Sequence, residues 1–82
     1  MNVPMDKMLE VVREFVRRKR GDLASRITAD SKLLQDGFID SFALVELIVD
    51  LESQLQISLP DGSLIPEDFE TPEVLYARLQ DL

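Results

Sequence analysis

With 82 residues and neither cysteine nor histidine, the chain is expected to be one domain over residues 1–82, near the lower size limit for a core without covalent staples. Disulfides and imidazole chemistry are excluded, so packing alone must hold the fold. Sixteen acidic against nine basic residues give a net charge of −7, which disfavours nucleic acid as a partner and favours proteins with basic docking surfaces.

The charge is unevenly placed. Arg13, Arg17, Arg18, Lys19, Arg20 and Arg26 all precede Thr28, after which only Lys32 and Arg78 oppose twelve carboxylates. Residues 5–19 carry apolar side chains at Met5, Met8, Leu9, Val12, Phe15 and Val16, the spacing of an amphipathic helix. Pro4 suits its start and Gly21 its end. The run Arg17 to Arg20 falls at the C-terminal end of that helix, where solvated cations complement the macrodipole. Residues 22–40 show no sustained period. Leu23, Ile27, Leu33, Leu34, Phe38 and Ile39 supply anchors there, and a connection this long in a small domain reads as a packed, functional loop.

A second helix is predicted from Ser41, with Asp40 as N-cap accepting from the unpaired N–H groups of the first turn. Leu44, Leu47, Ile48, Leu51 and Leu55 form its core stripe. Phe42, Val45 and Val49 form a second stripe beside it, either buried as in a central helix or left out as a docking surface. Glu46, Asp50 and Glu52 read as a solvated acidic face. Residues 56–60 look extended, Pro60-Asp61-Gly62-Ser63 is a turn, and a short helical turn fits residues 66–69, with Pro66 at its first position. Thr71 as N-cap and Pro72 at the first position open a last helix to about Gln80, burying Val74, Leu75 and Leu79, with Leu82 as a further candidate. The reading is an all-α bundle of three main helices and one short helix, with a long loop between the first two. No apolar run reaches membrane-span length and the N-terminus lacks a signal-peptide core, so no membrane insertion and a cytoplasmic location are expected.

The chemistry open to the chain is narrow. A serine nucleophile needs a base, usually histidine, to take its proton. None exists here, and Asp40 is better placed to cap the helix than to serve Ser41. Zinc ligands, a twelve-residue Ca²⁺ loop and a glycine-rich phosphate loop are all missing from the sequence. No catalytic or metal-ligating residues are therefore assigned, and the chain is not expected to be an enzyme. Ser41 can instead accept a phosphoryl group from another protein. At a helix start such a group meets the positive end of the dipole, although serine there also serves as a simple cap.

The stretch Leu33-Leu34-Gln35-Asp36-Gly37-Phe38-Ile39-Asp40-Ser41-Phe42, followed by an acidic amphipathic helix, resembles the acyl carrier proteins and the peptidyl carrier domains. The likeness covers essentially the whole chain. It implies a four-helix acyl-carrier-like bundle with 4′-phosphopantetheine attached covalently to Ser41 and Asp40 flanking the site. It further implies that a phosphopantetheinyl transferase installs the arm, an adenylating acyl or aminoacyl ligase loads it with a thioester, and a downstream acyltransferase or synthase receives the cargo. Phe42, Val45, Glu46, Val49 and Asp50 fall where partners of such carriers dock. Nothing in the sequence points to oligomerisation, so a monomer is expected. Phe42 replaces the usual Leu or Ile, Ala43 stands where fatty-acid carriers usually have an acid, and Gln56 stands where many have glycine. The second of these departures leans away from fatty-acid synthesis.

The C-terminal half, with Leu51-Glu52-Ser53-Gln54-Leu55, Ile57, Leu59-Pro60, Glu67-Asp68-Phe69-Glu70 and Thr71-Pro72, is similar to the D-alanyl carrier proteins. Two readings from other classes stand beside this one. An unmodified helical adaptor would bind a partner through the Phe42, Val45, Val49 stripe. A basic-helix module would contact anionic lipid or nucleic acid through residues 13–20, with salt-sensitive binding as its mark.

Overall fold

The computed structural model describes residues 2–82. Helix α1 (Met5–Arg20) follows Pro4, whose carbonyl accepts from the Met8 N–H at 3.1 Å. It buries Met8, Val12, Phe15 and Val16 of the predicted stripe and adds Val11, while Met5 and Leu9 are only partly buried at its edge. Gly21 ends it at φ 59°, returning its N–H to the Arg17 carbonyl. That left-handed φ suits a residue without Cβ.

A 3₁₀ segment, Gly21–Arg26, continues directly from α1. Periodicity gives no sign of it, because a six-residue turn of this kind buries little; Ala24 is its one buried residue. The remaining loop is anchored as expected by Ile27, Leu33 and Ile39, all buried, with Leu23, Leu34 and Phe38 packed at the edge of the core. Backbone bonds reinforce these anchors: Leu33 N–H donates to Glu70 O at 3.0 Å, Ile39 N–H to Leu33 O at 3.0 Å, and Glu73 N–H to Ala29 O at 2.9 Å. Arg13 adds two bonds across from α1, its Nε and Nη2 donating to Ile27 O at 3.0 and 2.7 Å.

Helix α2 (Leu44–Leu55) is preceded by a 3₁₀ turn, Ser41–Ala43. Its core stripe is as the spacing predicts: Leu44, Leu47 and Leu51 are buried, with Ile48 and Leu55 packed against the cluster. Gln56 closes the helix in the left-handed region at φ 54°. The Glu52 carboxylate then accepts from Leu59 N–H at 2.9 Å, so Glu52 holds the chain leaving α2 and is more than part of a solvated face. The expected short helix is the 3₁₀ turn Pro66–Phe69, where Asp68 accepts from Ile65 N–H and Phe69 is buried.

Helix α3 (Pro72–Asp81) opens as predicted, with Thr71 Oγ1 accepting from Val74 N–H at 3.1 Å and Pro72 in the first turn. Leu75 and Leu79 are buried, but Val74 is 38% exposed and not the core residue its hydrophobicity suggested. On a helix, neighbouring positions diverge by 100°, and Leu75 takes the inward one. The fold is all-helical, with no strand among the described residues. One apolar cluster joins all three helices, the loop anchors and Phe69.

Candidate functional site

The start of α2 is built from the backbone upward. Asp40 is extended at φ −91° and ψ 167°, and its Oδ1 accepts from Ala43 N–H at 2.8 Å. This is the predicted N-cap, displaced only in that the first turn is 3₁₀. Ile39, buried behind the cap, and Leu44, buried in front of it, fix the turn to the core. Ser41, between them, is exposed. The serine is therefore accessible on a backbone that is held from both sides, and the Asp40 carboxylate next to it in sequence is already engaged by the cap.

The neighbouring apolar stripe lies open. Phe42 is 90% exposed, Val45 68% and Val49 56%, so the core does not need them. These three residues form a patch that begins next to Ser41 and runs along α2. Large exposed apolar residues grouped in this way mark interaction surfaces in soluble proteins.

On the charged side of α2, Lys19 Nζ donates to the Glu46 carboxylate at 2.9 Å, and Arg18 pairs with Asp50. The acidic residues expected to be free are thus met by the basic run at the end of α1. Arg17 pairs with Glu14 within α1, while Lys19 Nζ and Arg18 also lie 5.7 Å from the centroid of the Phe15 ring. With Arg13 spent on Ile27, most cations of this helix have partners inside the fold. A basic-helix module for polyanions would need them displayed together, which leaves that reading unsupported. These cross-helix pairs link residues 27 and 32 positions apart, and no local spacing rule reports contacts of that range.

Two concavities flank α1 and α2. The larger, about 470 Å³, is lined by Lys7, Glu10, Val11, Glu14, Arg18, Asp50, Gln54 and Leu55. It sits toward the start of α1 and the end of α2, away from Ser41. The smaller, about 170 Å³, is lined by Phe15, Lys19, Arg20, Phe38, Ile39, Asp40, Phe42, Ala43 and Glu46. It includes residues on both sides of Ser41. Sequence reading missed Phe15, Lys19, Arg20 and Phe38 as residues that share a depression with Asp40 and Phe42; the one available signal was the placing of Phe15 and Lys19 four apart on one helical face. Among the described residues, no group of three or more carboxylates is placed to hold a metal ion, and no helix is long and apolar enough to cross a membrane.

Comparison with known proteins bears on this geometry. A family described as "Phosphopantetheine attachment site" matches residues 6–79. The D-alanyl carrier protein of Lactococcus lactis subsp. lactis (strain IL1403) is 32% identical over 74 residues, 90% of this chain and 94% of that protein. That of Listeria innocua serovar 6a is 35% identical over 51 residues, covering 62% of this chain and 65% of the relative's length. That of Listeria welshimeri serovar 6b is 27% identical over 77 residues, 94% of each. No solved structure matches the chain significantly. The unmodified-adaptor reading gains nothing from these relatives. The chain belongs to the phosphopantetheine attachment site family and is a small helical carrier protein with a covalently attached 4′-phosphopantetheine.

Proposed function

We propose that Ser41 bears the 4′-phosphopantetheine arm and that the chain carries an aminoacyl group, D-alanine as in the names of its relatives. The observation that carries the reading is the exposed Ser41 hydroxyl on a fixed turn, with the Asp40 carboxylate committed to Ala43 N–H. The site suits the group. A hydroxyl held outward needs no rearrangement to reach a transferase active site, and the adjoining depression leaves room beside it. When attached, the arm supplies a terminal thiol on which a carboxyl group is held as a thioester. Every other task of this chain is presentation.

Ser41 Oγ attacks the pyrophosphate of coenzyme A, forming the new P–O ester bond as the bond to adenosine 3′,5′-bisphosphate breaks and that group leaves, and gives its proton to a base on the transferase, since this chain has no histidine. Asp40 keeps the turn closed during that exchange. Phe42, Val45 and Val49 form the apolar part of the surface met by the transferase, an adenylating ligase and a downstream acyltransferase or synthase. Glu46 and Asp50 give this surface its charge, and a basic partner must exchange places with Lys19 and Arg18 to use them. Charge pairs of that kind favour fast, reversible encounters. The chain is not itself an enzyme in this reading; it acts as a monomer in the cytoplasm, with catalysis supplied by its partners.

The test is direct. Purified apo protein is incubated with coenzyme A, Mg²⁺ and a broad-specificity phosphopantetheinyl transferase, and its intact mass is recorded beside Ser41→Ala. One phosphopantetheine on the wild type alone is the expected result. A gain on both proteins would move the attachment elsewhere, and no gain on folded wild type would sink the assignment.

A further inference from the structure

We propose that Lys19 and Arg20, at the end of α1, form the binding site for the phosphodiester that joins the arm to Ser41. The inference rests on the assignment of Ser41 above. It concerns a different element of the fold, and its own observations are four.

First, Lys19 and Arg20 line the same small depression as Asp40 and Phe42, the residues on either side of Ser41. An anion attached to Ser41 therefore starts beside the depression that both cations line. Second, Arg20 is exposed and, unlike Arg13, Arg17, Arg18 and Lys19, has no ion-pair or hydrogen-bond partner among the described residues. Its cation is unspent at the one place where the proposal needs one. Third, Asp40 Oδ1 already occupies the Ala43 N–H. The helix start offers a phosphate less than a bare N-terminus would, and the carboxylates of Asp40 and Glu46 beside it repel an anion. In a chain of net charge −7, cations at this point offset that repulsion. Fourth, Phe15, Phe38 and Phe42 line the depression together with the two cations, and Phe15 is buried. Their apolar surface excludes water from one side of a charge contact formed there.

Lys19 has a second consequence. Its ammonium sits 2.9 Å from the Glu46 carboxylate in the unmodified chain, so a phosphodiester competes with Glu46 for it. Attachment of the arm then loosens the Lys19–Glu46 pair and leaves Glu46 freer to meet a partner's cation. Modified and unmodified forms differ in docking charge as well as in the arm.

The experiment compares apo and holo protein, the holo form made with the transferase and verified by mass, for wild type, Arg20→Gln, Lys19→Gln, the double variant and Lys19→Arg. Folding of each is checked by circular dichroism. The readouts are the ³¹P resonance of the phosphodiester and the side-chain Nε–Hε signal of Arg20, at low and at high ionic strength. Expected are an Arg20 signal that moves between apo and holo wild type, a ³¹P resonance displaced in the double variant, retention of the wild-type position in Lys19→Arg, and collapse of these differences at high salt. Normal attachment with an identical ³¹P resonance in wild type and double variant, and an Arg20 signal unmoved by modification, overturns this inference alone. Absence of any mass gain on wild type overturns it together with the Ser41 assignment.

Discussion

Two faces of one helix carry the same kind of residue to opposite ends. Leu44, Leu47 and Leu51 vanish into the core, while Phe42, Val45 and Val49, interleaved with them, stand 90%, 68% and 56% exposed. Side-chain hydrophobicity does not distinguish the two sets. What separates them is where α1 lies: it covers the leucine face and clips α2 from the flank through Arg18–Asp50 and Lys19–Glu46. The valine face has no such neighbour. Apolar surface retained without a neighbour is a cost to solubility, and its retention here makes sense as a surface other proteins meet.

The contrast is easily broken from the buried side. Leu47→Ala removes a fully buried side chain and is expected to cost about 2–5 kcal/mol, against a total stability of roughly 4–12 kcal/mol for a chain of this length. Chemical denaturation of the apo protein measures it; a loss under about 1 kcal/mol would mean that the leucine face is not the core. The cap between the two faces comes next. Asp40→Ala deletes the bond to Ala43 N–H and is expected to cost about 0.5–2 kcal/mol, with slower transferase modification because the turn bearing Ser41 frays. Asp40→Asn, which keeps an acceptor, should recover most of the stability.

Smaller effects sharpen the comparison. Gln56 sits at φ 54° with a side chain, so Gln56→Gly is expected to stabilise α2 by about 0.5–1 kcal/mol; thermal melting would register an unchanged or lowered midpoint if that backbone is unstrained. Arg18→Gln and Lys19→Gln each remove a largely exposed ion pair and should cost at most about 1 kcal/mol, less at high salt. On the exposed face, Phe42→Ala and Val45→Ala should leave stability within about 0.5 kcal/mol while slowing modification several-fold. Equal loss of stability on both faces would erase the distinction altogether.

Much of this was legible in the chain before its fold. Pro4 and Gly21 bound α1 where the rules for helix ends put them, Asp40 and Thr71 cap as their residue types predict, and the core stripe of α2 follows its spacing. The exposed stripe was visible as a stripe, but its exposure depended on which helix covered which side. Val74 failed for the same reason. Glu46, Asp50 and Glu52 looked solvated because their partners, Lys19, Arg18 and the Leu59 N–H, come from elsewhere in the chain. Local patterns encode ends and periods. Which cation reaches which carboxylate is decided only when the helices pack.

The long connection between α1 and α2 is strapped at Ile27 by Arg13, at Ala29 by Glu73 and at Leu33 by Glu70. A segment tied to the first helix and to the approach of the last has no separate way to open. Its amide protons at Leu33 and Ile39 should exchange with solvent together with those of the helical core, and proteases should find no early cutting site there. On the proposed reading, the ground beneath Ser41 would then stay fixed from one partner to the next, and handover would proceed by rebinding at the surface.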